Sequence, residues 1–327
     1  MTVALVGSES LIGREIRDVL SGNSLGQSLK LIAAEGEEAG KLTEQSGEPA
    51  ILGELDQESL ESAQIIFLAG PPQSTRKVRS LKPRGALIDL TGAAEGVADA
   101  RLRAPMAEPD GYRPPAGAVH VVAASAAIAI AVVLGRLHAK HKIKRSVAHV
   151  FEPASERGQG GIEELQQQTI GLLSFKNQPK ATFDAQLAFN LLPRYGEEAP
   201  AALDDSALRI ERHLATLLSH QNPHPPMPSL RLLQAPVFHG YSISVWVEFE
   251  TNPGISAIEA ALDSEPIDVH SSDTEPPTAV GMAGQDGIAV GNLTIDRNNT
   301  QAAWLWIVTD NLRLQARNAI ALAQDLL

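Results

Sequence analysis

The stretch "TVALVGSESLIGREIRDVL", residues 2–20, decides the fold. Thr2 to Val6 form a short apolar, β-favouring run and Gly7 opens a turn. Ile12, Ile16, Val19 and Leu20 then recur at helical spacing. Strand, tight turn and amphipathic helix follow one another without a linker. "LKLIAAE" (29–35), "AQIIFLAG" (63–70) and "GALIDLTG" (85–92) repeat the short apolar run, with polar or helical segments between them. Strands alternating with helices in this way predict an α/β chain with a parallel, doubly wound sheet. "PMAEPDGYRPPAG" (105–117) is dense in Pro and Gly and reads as a loop.

From about Ile143 the texture changes. "IKRSVAHVF" reads as a strand, while "GIEELQQQTIGLL" and "DSALRIERHLATLLSH" read as helices. "YSISVWVEFE" (241–250) alternates, with Ile243, Val245, Val247 and Phe249 on one face and Ser242, Ser244, Trp246, Glu248 and Glu250 on the other. One face in a core and one on a polar surface or subunit interface is the pattern of an antiparallel sheet. "GIAVGNLTI" and "AAWLWIVT" add two strands, and "NLRLQARNAIALAQDLL" closes the chain as a helix.

The length, 327 residues, suits two domains better than one core. With 27 Lys and Arg against 39 Asp and Glu, the net charge of −12 argues against nucleic acid or an anionic membrane as partner. The apolar run "VVAASAAIAIAVVL" (121–134) would rise only about 21 Å as a helix, short of a bilayer core. It reads as a buried helix with Ser125 near its start, as N-cap or small buried residue. No basic leader precedes the first strand, so a cytoplasmic protein is expected. The absence of cysteine removes thiolate metal sites and thiol chemistry. His220 and His224 stand four apart in "HQNPHPPMP", but the prolines forbid the helix that would aim both at one ion, so no metal is expected.

The first turn, Gly7-Ser8-Glu9-Ser10-Leu11-Ile12-Gly13, looks like a dinucleotide fingerprint whose central glycine has become Ser10. Glu9 adds a negative charge close to where phosphates would lie. "AVHVVAASAAIAIAVVLGRLH", "GGIEELQQQT", "QLAFNLLPR", "QAPVFHGYSISVWVEFE", "TAVGMAGQDGIAVGNL" and "LWIVTDNLR" follow in one order and spacing. Together these stretches resemble the aspartate-semialdehyde dehydrogenase family over nearly the whole chain. The resemblance implies a Rossmann-like NAD(P)-binding domain, expected over 1–125 and 308–327. It also implies an α+β catalytic and dimerisation domain with a mixed, largely antiparallel sheet, expected over 126–307, and a homodimer. The family reduces an acyl phosphate with NADPH through a cysteine thioester, using a histidine as acid and base and cationic groups for the substrate.

Carried over position by position, that machinery is altered. Ser125, thirteen residues before His138, falls where the family has its cysteine, and Tyr241 in "HGYS" falls at its histidine. A serine hydroxyl ionises far less readily than a thiol, and its ester is a poorer hydride acceptor. Gln234 and Glu95 fall at substrate-binding arginines, and Glu152 in "FEPASERG" falls at a glutamine. Glu211 in "LRIERHL" alone keeps a like residue, at the active-site glutamate. The cofactor side is assigned to Gly7, Ser10, Leu11, Ile12, Gly13, Glu37 and Asn311. Glu37 and Glu38 in "EGEEAGK" replace a serine and arginine that would hold the 2′-phosphate, which disfavours NADP and leaves NAD open, since a glutamate can bind a ribose hydroxyl.

Loss of thiol, base and cations together points to a paralogue that has given up the family's reductase activity. Such a protein would be dimeric and would act by binding a small-molecule or nucleotide ligand. Two alternatives stand beside it. One is an NAD-dependent oxidoreductase that uses Ser125, Tyr241, His239, His149 or Glu211 on another substrate. The other is a structural partner of an active family member.

Overall fold

The structure, a computed structural model, describes residues 2–113 and 119–327. The last residues of the loop expected over 105–117 lie outside the described residues. The chain divides into two compact units, Met1–Ala123 with Gln315–Leu327, and Ala124–Leu314. The division departs from the expected bounds at two places. Ser125 opens a helix of the second unit, and Val308 and Thr309 complete a strand of that unit's sheet, so 308–314 stay with it.

The first unit begins with β1 (Thr2–Val6) and α1 (Leu11–Ser21), and β2 (Leu29–Ile32) pairs parallel to β1. A hairpin of β3 (Leu42–Gln45) and β4 (Glu48–Ile51) follows, turning on Ser46 and Gly47, both with positive φ. Next come α2 (Gln57–Glu61), β5 (Ala63–Leu68), α3 (Pro72–Leu81), β6 (Ala86–Asp89), β7 (Ala100–Arg103) and β8 (Val119–Val122). The parallel sheet runs β2-β1-β5-β6-β8-β7. Apolar side chains on its two faces build separate cores. One gathers Val3, Leu5, Phe67 and Ile88 with Ile16 and Leu20 of α1 and Ala319 and Ile320 of the closing helix. The other gathers Ala4, Val6, Ile66 and Leu68 with Val78 of α3. Burial of both faces explains why these strands read as unbroken apolar runs.

The second unit starts with α4 (Ser125–Lys140), whose first ten residues are all buried. It continues through β9 (Ile143–Glu152), α5 (Gly158–Leu173), α6 (Leu203–Ser219), β10 (Ser229–Gln234), β11 (Tyr241–Phe249), α7 (Ile255–Leu262), β12 (Ile267–Val269), α8 (Ala279–Met282), β13 (Ile288–Ile295) and β14 (Ala302–Thr309). The last helix, α9 (Asn311–Asp325), begins here and ends in the first unit. The sheet order is β10-β9-β11-β14-β13-β12. Its central pairs are antiparallel and its two outer pairs, β10 with β9 and β12 with β13, are parallel. The alternation in β11 is realised for Ile243, Val245 and Val247, which are fully buried, against half-buried Ser242, Ser244 and Trp246. Glu248 departs from it. Its side chain is buried, held by Lys144 and Arg145 of β9. Among the described residues no helix is long and apolar enough to cross a membrane.

Candidate functional site

The residues expected at the catalytic centre of the second unit begin with Ser125. It does not cap α4, because Ala124 holds the N-cap position without a side-chain bond. Ser125 is instead the first helical residue, and its hydroxyl donates to the carbonyl of Asn311 at 2.6 Å. The proton that a base would have to remove is therefore already committed to a backbone oxygen. The neighbouring Ala124 N–H donates to His213 Nδ1 at 3.0 Å, which makes that nitrogen an acceptor and puts the proton of the neutral ring on Nε2.

Glu152, at the end of β9, is the centre of a buried polar cluster. Arg157 Nη2 donates to Glu152 Oε1 at 3.2 Å, and the Tyr241 hydroxyl lies 3.4 Å from Oε2. The Tyr195 hydroxyl gives its one proton to Gln234 Oε1 at 2.6 Å and accepts from Arg157 Nε at 3.1 Å. Gln234 Nε2 in turn donates to the Glu152 carbonyl at 2.8 Å. Arg157 also reaches Ser206 Oγ on α6 and stacks its guanidinium 5.1 Å from the centre of the Tyr195 ring. The members thus satisfy one another, as buried polar groups must.

Burial pushes Glu152 up to about 7, with Arg157 opposing the shift. Burial likewise holds the Tyr241 phenol well above its ordinary value, assisted by Glu156 and Glu152. Tyr241 is therefore a neutral hydrogen-bond donor and no substitute for an imidazole base. Gln234 has both ends of its amide bonded within the chain and carries no charge for a substrate carboxylate.

Asn311 is a second hub. Its Nδ2 donates to Ser155 Oγ at 3.1 Å and to Glu156 Oε1 at 2.8 Å, and its Oδ1 accepts from Ser155 Oγ and from Gly240 N at 3.0 Å. An asparagine amide offers two donors and two acceptor sites. All four are used inside the second unit.

Sequence reasoning brought Ser125, Tyr241, Gln234 and Glu152 to this unit and missed Arg157, Tyr195, Ser206 and Asn311's hub role. One signal was present. A buried carboxylate at the end of a strand, after the apolar Val150 and Phe151, needs a cation, and Arg157 is the next one after Pro153 in "FEPASERG". Nothing in the irregular segment around Tyr195 announces its role. Glu211 is half-buried on α6, and the contacts from that helix to the cluster come from Ser206, with Arg209 acting on Tyr241 through its charge. Glu95 belongs to the first unit, in a turn after β6 organised by Asp89, whose carboxylate accepts from Thr91 N and Ala94 N.

The cofactor-side residues of the first unit keep the turn. Gly7 has φ +89°, and a Cβ there would lie 2.3 Å from Gly70 N; one on Gly13 would lie 2.1 Å from Gly7 O. Ser10 caps α1, its Oγ accepting from Gly13 N at 3.0 Å and donating to Gly7 O at 2.8 Å. Leu11 and Ile12 form the first half-buried turn of the helix. The Glu9 carboxylate is held by Arg17, 2.6 Å away, and by the Thr43 hydroxyl of the hairpin. The Glu9 backbone N–H donates to Glu37 Oε1 at 3.0 Å, and Ala34 N donates to Oε2 at 2.9 Å. Glu37 is thus braced by two backbone N–H groups, with Glu38 next to it in the chain and Glu35 two residues before it. Among the described residues no group of three or more His, Asp or Glu is placed to hold a metal ion.

A match to the semialdehyde dehydrogenase dimerisation domain covers residues 134–314. The chain is 29% identical to a USG-1 protein homolog of Azotobacter vinelandii over 99% of its own length and 97% of that protein's. It is 26% identical to an aspartate-semialdehyde dehydrogenase of Rickettsia bellii, again over 99% and 97%. The solved structure of a probable aspartate-semialdehyde dehydrogenase from Pseudomonas aeruginosa superposes with a TM-score of 0.83 at 26% identity, covering 100% of this chain and 98% of the other.

Proposed function

The chain belongs to the semialdehyde dehydrogenase family, and from that premise we propose that it is a dimeric member without the NADPH-dependent acyl-phosphate reductase activity. The observation that carries this reading is the closed cluster around Glu152. Where the family needs a thiolate, a base and free cations, this chain has a hydroxyl bonded to a backbone carbonyl, a neutral phenol and a guanidinium already paired with a carboxylate. No cysteine exists anywhere in the sequence to take the nucleophile's place. Pairing of two copies is supported by the family's dimerisation domain and by the outer face of the second sheet. There Phe151, Trp246, Trp304 and Trp306 are only half-buried, an aromatic surface suited to a partner.

The test is direct. Purified protein given aspartate semialdehyde, phosphate and NADP should show no turnover above blank and should run as a dimer in light scattering. Turnover in that assay overturns the reading. Placing a thiol and an imidazole back, Ser125→Cys with Tyr241→His, should not restore activity, because Gln234 and Glu95 still stand where the family has its substrate-binding arginines.

A further inference from the structure

We propose that a pocket at the amino ends of β6 and β8 in the first unit binds a small multivalent oxyanion through Arg79, Lys82 and Arg84. The proposal does not depend on the loss of reductase activity. Five cations, Arg76, Lys77, Arg79, Lys82 and Arg84, fall within nine residues, and no Asp or Glu occurs between Glu61 and Asp89. That concentration runs against the chain's net charge of −12. Arg76, Lys77, Lys82 and Arg84 are exposed and Arg79 is half-buried. None of Arg79, Lys82 and Arg84 makes an ion pair or side-chain hydrogen bond among the described residues.

α3 ends at Leu81 and Gly85 leads into β6, and the turn between them brings the three cations to one cavity of about 450 Å³, also lined by Pro83, Asp99 and Val119. A cavity of that size suits a small organic ligand. Three cations against one carboxylate leave its lining positive. The dipole of α3 accounts for Arg79, in the last turn, but not for cations beyond the helix end. Lys82 stands at the C-cap with φ 50°, in the left-handed region that glycine occupies with less strain. Guanidinium groups hold oxyanions through paired N–H donors, and an ammonium adds a point charge. A macromolecular polyanion would meet the chain's excess of carboxylates, whereas a small one sits within the local field, which salt confines to about 8 Å. The glycine turn lies at the opposite edge of the sheet. Gly7 follows the carboxyl end of β1, β1, β5 and β6 run parallel, and the four residues of β6 span about 13 Å.

The experiment is calorimetric titration of the full chain with inorganic pyrophosphate and with orthophosphate at about 0.15 M salt. Pyrophosphate should bind with a dissociation constant below about 1 mM, at least about fivefold tighter than orthophosphate. The double variant Arg79→Gln, Arg84→Gln should weaken it at least about tenfold, while Lys140→Gln, which removes an exposed cation of the second unit, should change it by less than about twofold. No pyrophosphate binding up to about 10 mM overturns the proposal, as does equal affinity for orthophosphate. A double variant that binds as the unaltered protein does overturns it too, by placing the anion at another site. Duplex DNA that binds and is not displaced by pyrophosphate also counts against it. The comparison of the two phosphates uses the unaltered protein and stands even if the variants fail to fold.

Discussion

The glycine turn of the first unit and the buried cluster of the second have met sequence change in opposite ways. The turn keeps Gly7 and Gly13 because backbone sterics allow nothing else: each added Cβ would lie less than 2.5 Å from a main-chain atom. The cluster keeps almost none of the residues the family resemblance calls for, yet its replacements satisfy one another's hydrogen bonds. A strand–turn–helix joint is thus held by backbone sterics whether or not a ligand uses it, while on the proposed reading the catalytic centre has been exchanged for side chains that pair internally. The largest effect expected from this contrast is at Gly7. Gly7→Ala should cost roughly 4 kcal/mol or more and unfold the first unit in urea, because the close approach to Gly70 and the positive φ both oppose it. A variant of near-normal stability would show that the joint has slack and that its retention reflects function.

The second effect belongs to the cluster. Glu152 has a folded value raised to about 7, above the unfolded carboxylate. The folded state therefore binds the extra proton, and the stability it brings is fully present below about pH 4.5 and lost as pH rises through 7. The scale is on the order of 3 kcal/mol between those limits. Glu152→Gln should flatten the fall in melting temperature between pH 5.5 and 8.5. If the variant's slope matches that of the unaltered protein, the ion pair with Arg157 outweighs burial and the cluster is held by charge.

Tyr195→Phe is a smaller change. It removes the hydroxyl that joins Arg157 to Gln234, leaving both without that partner in a buried setting, at about 1–2 kcal/mol. Chemical denaturation at pH 7 measures it; a neutral result would mean that water takes the hydroxyl's place and that the cluster is less closed than its geometry indicates.

Much of the fold was legible because strand and helix periods are local. The run from Thr2 to Leu20 shows its strand, turn and helix in nineteen consecutive residues. The β3–β4 hairpin was not read, although Ser46-Gly47 carries the turn signal, because its strands have exposed Leu42 and Ile51 and no apolar period. The cluster was legible only at positions the resemblance supplied. Tyr195 and Ser206 reach it from 43 and 49 residues away in the chain respectively, Tyr195 contacting Glu152 and Ser206 contacting Arg157. Neither residue carries a pattern that foretells a partner at that separation.

The smallest prediction turns the comparison on pH. In the first unit His120 of β8 is almost wholly buried, and its Nδ1 has no hydrogen-bond partner. Burial lowers its proton affinity, with the charge of Arg103 acting the same way. A histidine that folds neutral gives up protons the unfolded chain would bind. Its stabilising effect is therefore present above the unfolded value of about 6.5 and is lost as pH falls below it. That is opposite in sign to Glu152 and comes from the other unit. Acid should loosen the parallel sheet first and alkali the cluster, so amide exchange in β8 should quicken between pH 6.5 and 5 while exchange in β9 slows. His120→Gln should abolish the acid response in β8 and leave the response in β9 unchanged. If it alters both, the two units do not titrate independently, and the separation of a folding joint from a rebuilt site fails as an account of the molecule.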